Sequence, residues 1–292
     1  MKFSIIGCGR TGTNLAVYLT KAGFEPSGFF SKTRSSAQKA LQAVTNSGEI
    51  FDKVEAVCQN SDIIFITTPD DAIEKVCSYI ASKNGFKSDT FVFHLSGALS
   101  SEILSSAEKP DINIGSIHPL QSFTPYEKGQ TSPFTGINIS VEGSDKAVKI
   151  GKKIVTALNA NSFTIPTHAK MLYHAAAVVA SNYLVTIENF AINLLQKADL
   201  SEKKSYEILE PLIMGTLSNI KNKGSVNALT GPVARGDSDI VSSHINAIEK
   251  DMPLFATLYK VLGNYTLGIA QQREDIFKNQ IEKLSRLFEQ QG

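Results

Sequence analysis

The sequence has no tryptophan, only three cysteines and almost no excess of charge. Among its 292 residues, 29 Lys and Arg face 28 Asp and Glu, which gives a formal net charge of +1. Without a basic stripe or a polybasic run, neither a nucleic-acid partner nor a membrane partner is expected. The odd number of cysteines (Cys8, Cys58 and Cys77) argues against a disulfide framework and predicts a reducing, cytoplasmic compartment.

Long uninterrupted apolar runs are also missing. The first residues, MKFSIIGCG, contain a short apolar run that ends in glycines, so no signal peptide is expected. The most apolar stretch, AAAVVASNYLVTIENFAINLL, is interrupted by Asn182, Glu188 and Asn193, which predicts a buried core helix. Over the whole sequence, 42% of the residues are hydrophobic and 20% are charged, which is typical of an ordinary globular protein.

The patterns of strands and helices divide the chain into two parts, and the first part comprises residues 1–162. Short β-rich runs alternate there with helical patterns, and the near-continuous apolar runs are typical of strands buried on both faces of a parallel sheet. The predicted strands are KFSIIG, PSGFFS, SDIIFITTP, TFVFHLSG, INIGSIHP, GINISV and SFTIP, with helical spans at 10–22, 35–43, 71–82 and 146–158. The predicted fold class is α/β, a doubly wound and mainly parallel Rossmann sheet.

Residues 163–292 are almost entirely helical in pattern and predict a second, all-α domain. One long helix is expected from Thr167 to Lys197, and another from Ser201 to Lys223 with Gly224 just after its end. Asp239 is suited to cap a third helix, and Pro253 to stand in the first turn of a fourth.

The clearest motif is IIGCGRTG, where Gly7, Gly9 and Gly12 match G-x-G-x-x-G between a strand and a helix. Such a loop permits a tight turn, a close approach to a pyrophosphate and close helix–strand packing. A dinucleotide site is therefore predicted along the whole loop; its members are Gly7, Cys8, Gly9, Arg10, Thr11 and Gly12. The alternative is a tight strand-to-helix turn without a ligand.

The end of the second strand lacks the Asp or Glu that an NAD site offers to the adenine ribose. It carries Ser31, Lys32, Thr33 and Arg34 instead, and two cations with two hydroxyls suit a 2′-phosphate. The predicted cofactor is therefore NADP(H), although the same residues also suit a solvated loop at the start of a helix.

Two further strand ends are expected at the ligand edge of the sheet. Thr68 and Pro69 follow the DIIFI strand and are predicted to line the cofactor, whereas Asp70 or Asp71 is expected only to cap a helix. Ser96 and Gly97 follow the next strand and are predicted to lie near the nicotinamide and the substrate.

Three stretches carry candidate chemistry. His118, in IHPLQSF, ends a strand at the ligand edge and suits acid–base work, unless His-Pro is only a structural turn. On a helix, Lys170 and His174 share one face with Tyr173 and Asn182 flanking it, as in a ligand-facing stripe or in a domain or subunit contact.

The third stretch, ALTGPVARGDSD, offers Arg235 as an anion clamp in a rigid loop, with Asp237 or Asp239 as the cap of the next helix. No metal site is expected, because the histidines and cysteines are scattered and show no ligand spacing.

On these motifs the chain resembles the 6-phosphogluconate and β-hydroxyacid dehydrogenase-like superfamily. Within it, the sequence is most similar to bacterial Rossmann-like NADP oxidoreductases with a helical C-terminal domain of unknown function. The resemblance rests on IIGCGRTGTNLA, HLSGALSSEIL, IHPLQSF, YHAAAVVASNYL and ALTGPVARGD. It implies a Rossmann domain, an all-α 6-phosphogluconate dehydrogenase C-terminal-like domain, a homodimer and a site in the interdomain cleft.

The resemblance also implies residue roles. His118-Pro119 matches the His-Pro of prephenate dehydrogenases, where the His contacts the substrate. Lys170 matches the Lys of β-hydroxyacid dehydrogenases, but His174 stands where those enzymes have Asn. This departure argues against the same substrates and the same proton chemistry in this chain.

The leading hypothesis is an NADP-dependent oxidoreductase acting on a small anionic substrate. Lys170 or His174 would move a proton, His118 and Arg235 would orient the substrate, and Asn182 would donate a hydrogen bond. The alternative is a sensor or scaffold that binds NADP(H) without turnover. A relative of deazaflavin-dependent NADP reductases or of pyrroline-carboxylate reductase is a third possibility.

Overall fold

The computed structural model describes residues 1–273 and 278–289. The chain divides into two compact units, residues 1–180 and 181–292.

The first unit is built on an eight-stranded sheet of order β3-β2-β1-β4-β5-β6-β7-β8. The strands are β1 (Lys2–Ile6), β2 (Glu25–Phe30), β3 (Glu49–Ile50), β4 (Ile63–Ile66), β5 (Phe91–His94), β6 (Asn113–Pro119), β7 (Asn138–Gly143) and β8 (Asn161–Thr164). Its helices are α1 (Arg10–Lys21), α2 (Arg34–Ala43), α3 (Val54–Gln59), α4 (Asp70–Ser82), α5 (Asp145–Ala157) and α6 (Lys170–Val178), with 3₁₀ turns at Ser101–Ala107 and Thr167–Ala169. The predicted doubly wound, mainly parallel fold is confirmed.

Two departures from the predicted sheet have physical causes. The two-residue strand β3 was not predicted, because so short a run carries no periodicity. Strand β7 runs antiparallel to β6, so that Ser116 lies directly opposite Glu142. Both residues are buried, with exposures of 0% and 2%, so the antiparallel pair places a carboxylate inside the sheet domain.

Alternation along the strands divides the core between the two faces of the sheet. Ile5 and Phe65 pack with the helices α1, α2 and α5, whereas Ile6 and Ile64 pack with α3, α4 and the 3₁₀ turn at 101–107. Because successive strand residues point to opposite faces, one continuous apolar run supplies both clusters. The ends of β1, β4, β5 and β6 then share one edge.

The second unit is helical, as predicted. It contains α7 (Leu184–Lys197), α8 (Glu202–Ala228), α9 (Pro232–Arg235), α10 (Ser238–Asp251), α11 (Pro253–Ala270) and α12 (Lys278–Glu289). Gly224, predicted to follow the end of a helix, has φ 74° and ψ 165° and separates two helices joined at a kink. Asp237, not Asp239, is the residue before α10, whereas Pro253 begins α11 as expected.

The helical segment Thr167–Lys197 contains a π-helical turn at Val179–Tyr183. By length and composition alone it is long and apolar enough to cross a membrane, with a mean hydropathy of 1.3, a test that core helices also pass. The prediction of a buried core helix is wrong for this chain, because only 6% of the apolar window is buried. Phe190 is buried, but several apolar residues of this segment are exposed in the described structure, among them Met171, Leu172 and Val185.

Candidate functional site

The glycine loop has the geometry of a dinucleotide turn. Gly7 has φ 103°, and a Cβ there would lie 2.8 Å from the backbone of Thr67 and Thr68. A Cβ on Gly12 would overlap the carbonyl oxygen of Gly7, whereas a Cβ on Gly9 would meet nothing within 4 Å. The first and third glycines therefore serve close packing, and the second leaves open space where a pyrophosphate approaches its backbone.

The neighbouring strand end supplies polar groups to the same turn. The Thr67 hydroxyl donates to the Gly7 carbonyl over 2.6 Å, and the Thr68 hydroxyl is buried without a partner in the described chain. A buried polar group without a partner is costly unless a ligand satisfies it. Thr68, with Pro69 just before α4, therefore fits the predicted cofactor contact, whereas Cys8 turns its thiol away toward the Phe30 carbonyl.

The segment after β2 carries the residues predicted to bind the 2′-phosphate. Arg34 forms an ion pair with Asp52, a carboxylate that the sequence analysis did not consider. Ser31 is half-buried and Lys32 is exposed. Lys32 makes no ion pair in the described part of the chain.

A cluster of imidazoles lies beyond the ends of β5 and β6. Gly97 packs directly against it, since a Cβ there would lie 2.6 Å from His174 Nδ1 and 2.7 Å from His118 Nε2. The two rings are 6.2 Å apart and nearly perpendicular. Tyr173 adds its hydroxyl, 2.8 Å from His118 Nδ1. Four residues predicted from three separate motifs are therefore brought together within the first unit.

Burial sets the protonation of this cluster. Desolvation lowers the pKa of His118 to about 4, helped by the charge of Lys170 and by His174. The ring is therefore neutral near pH 7. His174 is half-buried, and its Nδ1 is buried without a hydrogen-bond partner in the described residues. An unpartnered ring nitrogen beside a glycine backbone is a candidate contact for a ligand.

Lys170 lies beneath the cluster rather than at its surface. It is only 2% exposed, and its Nζ donates to Ser116 Oγ over 2.5 Å. Burial lowers the pKa of Lys170 to about 8, and the carboxylates of Glu142 and Asp70 oppose this shift. The ammonium is therefore largely retained at neutral pH, because two carboxylates offset part of its desolvation.

Glu142 connects the parts of the site and was missed by the sequence analysis. Its carboxylate accepts from the Ser101 amide at 2.7 Å, the Ser101 hydroxyl at 2.8 Å and the Thr167 hydroxyl at 3.2 Å. One buried side chain thus holds both the turn after β5 and the entry to α6. A lone Glu in the strand NISVEG carries no local signal of this role, which depends on the antiparallel pairing with β6.

Two more polar groups complete the network. The Ser96 hydroxyl donates to Asp70 at 2.8 Å and accepts from the amides of Ala98 and Leu99. Asp70 thus orders the turn at Gly97. The capping role predicted for it is wrong, because Asp70 is the first residue of α4 and Pro69 is the residue before the helix. His94 is fully buried, with Nδ1 accepting from the Ser96 amide and Nε2 therefore donating to the Ser100 carbonyl. Burial lowers the pKa of His94 to about 3.

Two predicted residues belong to the second unit. Asn182 is exposed within the π-helical turn, and Arg235 forms an exposed ion pair with Asp237 at 2.9 Å. Their proposed roles stay predictions. Within residues 1–273 and 278–289, no group of three or more His, Cys, Asp or Glu is placed to hold a metal ion.

Comparisons with known proteins agree with the resemblance seen in the sequence. Residues 1–119 match the family described as a Rossmann-like domain, and residues 137–266 match the domain of unknown function DUF2520. No curated protein matches the sequence.

Several solved structures share the fold. The "putative NADP oxidoreductase BF3122" of Bacteroides fragilis is 23% identical, with a TM-score of 0.70 over 93% of this chain and 98% of that one. Protein TM1727 of Thermotoga maritima is 25% identical, with a TM-score of 0.71 over 92% and 98%. A Plasmodium falciparum pyrroline carboxylate reductase with NADP bound is 13% identical, with a TM-score of 0.57 over 99% and 98%.

Proposed function

Because the chain belongs to the family that joins a Rossmann-like domain to the domain DUF2520, we propose that it is an NADP(H)-dependent oxidoreductase. The observation that carries the proposal is the sharing of one sheet edge by an open glycine loop and the cluster of Gly97, His118 and His174. Ligands of doubly wound sheets bind at this edge. Two of the structures that share the fold are described as an NADP oxidoreductase and as a reductase with NADP bound.

NADP(H), when bound, would supply or accept the hydride. The backbone of residues 7–12 would hold its pyrophosphate, and the unpartnered Thr68 hydroxyl would hydrogen-bond to it. Open space at Gly9 and the close packing at Gly7 and Gly12 support this placement.

The substrate would be small and anionic. Lys170 is a buried cation next to neutral His118, so the cluster favours a negatively charged group without itself carrying several charges. Tyr173, by donating to His118 Nδ1, would leave Nε2–H directed at a substrate oxygen. His174 would exchange the proton with the substrate, because Lys170 is too deeply buried to reach one directly.

The first experiment is a fluorescence titration of the purified protein with NADPH and, in parallel, NADH. We expect NADPH to bind in the micromolar range and more tightly than NADH. If neither nucleotide binds below millimolar concentration, the glycine loop is only a strand-to-helix turn, and the proposal is wrong.

Turnover separates the enzyme from its alternative, an NADP(H)-binding sensor. Small oxo-acids and hydroxy-acids would be screened with the wild type and with His174→Asn, which installs the residue that β-hydroxyacid dehydrogenases carry there. We expect at least a hundredfold loss of turnover in the variant with NADPH affinity unchanged. An equal loss of turnover and of NADPH affinity would contradict the role of His174. A complete absence of turnover in the wild type would favour the alternative of an NADP(H)-binding sensor.

We further propose a cytoplasmic homodimer. All three cysteines are free and buried. The long helix α8 has one buried residue, Ser205, and exposes Leu212 and Met214 by 67% and 60%. Helices this exposed gain little stability within one chain, and a second copy would cover them. Sedimentation equilibrium showing a monomer at micromolar concentration would exclude the dimer.

A further inference from the structure

A groove of about 890 Å³ runs along α1, between that helix, α2 and the segment at 125–129. Four cationic side chains line it and no carboxylate does; they are Arg10, Lys21, Lys39 and Lys128. In the described part of the chain none of the four forms an ion pair. Like charges collected in one groove repel each other, so an anion placed there is stabilised, most by the cations nearest to it.

The groove differs from the segment that the sequence pattern assigned to the 2′-phosphate. Arg34 lies against the carboxylate of Asp52. Exposed ion pairs of this kind are weak, but Asp52 places a negative charge beside any phosphate that Arg34 would bind. The four cations of the groove have no such competitor among its lining residues.

Only one end of the groove is near the cofactor loop. Cys8, Gly9 and Arg10 belong to that loop and also line the groove. Ser36 and Lys39 lie in the first two turns of α2, which begins at Arg34. Lys21, at the far end of α1, lies roughly 16 Å from Arg10 along the helix axis. A phosphate attached to a nucleotide at the loop therefore meets Arg10, Ser36 and Lys39 first.

We propose that Lys39, with Arg10 and Ser36, binds the 2′-phosphate of NADP(H) in this groove, and that Lys39 rather than Arg34 sets the preference for NADP over NAD. The inference rests on the proposed function, since it needs the dinucleotide at residues 7–12. Ser36 supplies a hydroxyl donor, and the two cations supply charge-assisted hydrogen bonds.

The test compares five proteins: wild type, Lys39→Ala, Lys39→Arg, Arg34→Ala and Lys21→Ala. Each is titrated with NADPH and with NADH by fluorescence. Lys39→Ala is expected to raise the Kd for NADPH at least tenfold and to leave the Kd for NADH within twofold. Arg34→Ala is expected to change neither constant more than twofold. Lys21→Ala, which removes the same charge from the same groove at its other end, is the matched control with the same expectation.

The outcomes separate the inference from the function it rests on. If Lys39→Ala keeps the wild-type ratio of NADPH to NADH affinity, the inference is overturned, whatever Arg34→Ala does. If Lys21→Ala weakens NADPH binding as much as Lys39→Ala does, the loss comes from the summed charge of the groove, and the specific contact with Lys39 is overturned. If the wild type binds neither nucleotide, both the inference and the proposed function fail. Lys39→Arg, which restores a cation, is expected to recover most of the affinity.

Discussion

The two units of the molecule bury their apolar residues to different extents. In the first, β1 and β4 are buried along almost their whole length, and helices cover both faces of the sheet. In the second, α7 buries only Phe190 and α8 only Ser205. The first unit therefore carries its own core, and a polar network can be held inside it. The second has smaller clusters around Val241 and Phe190 and leaves apolar residues exposed.

The difference teaches where function and assembly are expected. A buried network such as Glu142, Lys170 and Ser116 requires a rigid surround, because each polar group must keep its partner. Exposed apolar helices instead favour association. Each of the following predictions tests one side of this comparison.

The largest effect is expected on the second unit. Leu212→Glu places a charge on an apolar residue that is 67% exposed in the single chain. If a second copy covers α8, the variant becomes monomeric at micromolar concentration, as measured by sedimentation equilibrium. Lys203→Glu, at an exposed position of the same helix, is the control and remains dimeric. A Leu212→Glu protein that sediments like the wild type would place the interface elsewhere.

Within the first unit, Glu142→Gln removes the carboxylate that opposes the buried charge of Lys170 and accepts three hydrogen bonds. We expect a loss of about 3 kcal/mol in the free energy of unfolding, measured by urea denaturation. Adding Lys170→Met removes the stranded charge and is expected to recover part of the loss. Strictly additive losses in the double variant would mean that the two charges are independent.

Acid should destabilise the first unit through its buried histidines. The pKa of His94 is lowered to about 3 and that of His118 to about 4, so both rings are neutral when folded. In the unfolded chain both histidines take up protons below their ordinary pKa of about 6.5. Stability is therefore lost as the pH falls from about 6.5 toward 4 for His118 and toward 3 for His94. For His94 the loss reaches about 2 kcal/mol at pH 5.

His94→Gln is expected to reduce this dependence of the urea midpoint on pH, whatever its effect at pH 7. His168→Gln removes an exposed imidazole and is the matched control. An unchanged slope in His94→Gln would show that other groups cause the acid sensitivity.

The smallest effect is expected at Gly97, where an added methyl would press on His118 and His174. Gly97→Ala should cost about 1–2 kcal/mol of stability through displacement of the rings, while NADPH affinity stays within twofold. Gly268→Ala, where a Cβ would meet nothing within 4 Å, is the control and should be neutral or slightly stabilising. A neutral Gly97→Ala would mean that the imidazoles move freely.

Local patterns were enough to identify the fold and part of the site. The alternation of strands and helices, the spacing of the three glycines and the position of His118 at a strand end follow rules that act over a few residues. The same holds for Tyr173 and His174 on one helix. These features carry their signal in neighbouring positions, so seven of the eight strands, the glycine loop and the residues of the cluster around Gly97 could be predicted.

Contacts between distant segments carried no such signal. Glu142 acquires its role because β7 runs antiparallel to β6 and brings it opposite Ser116. Arg34 pairs with Asp52, 18 residues away, and Lys170 is buried against Ser116, 54 residues away. Asp70 reached Ser96 across 26 residues.

The sequence alone determined the class of fold, the glycine loop and the residue types available for chemistry, because periodicity and short motifs act locally. Only the tertiary structure decided which cations are paired, which histidines are neutral and which carboxylate holds the site together. Those properties depend on burial and on partners far apart in the chain, and both arise only when the strands pair.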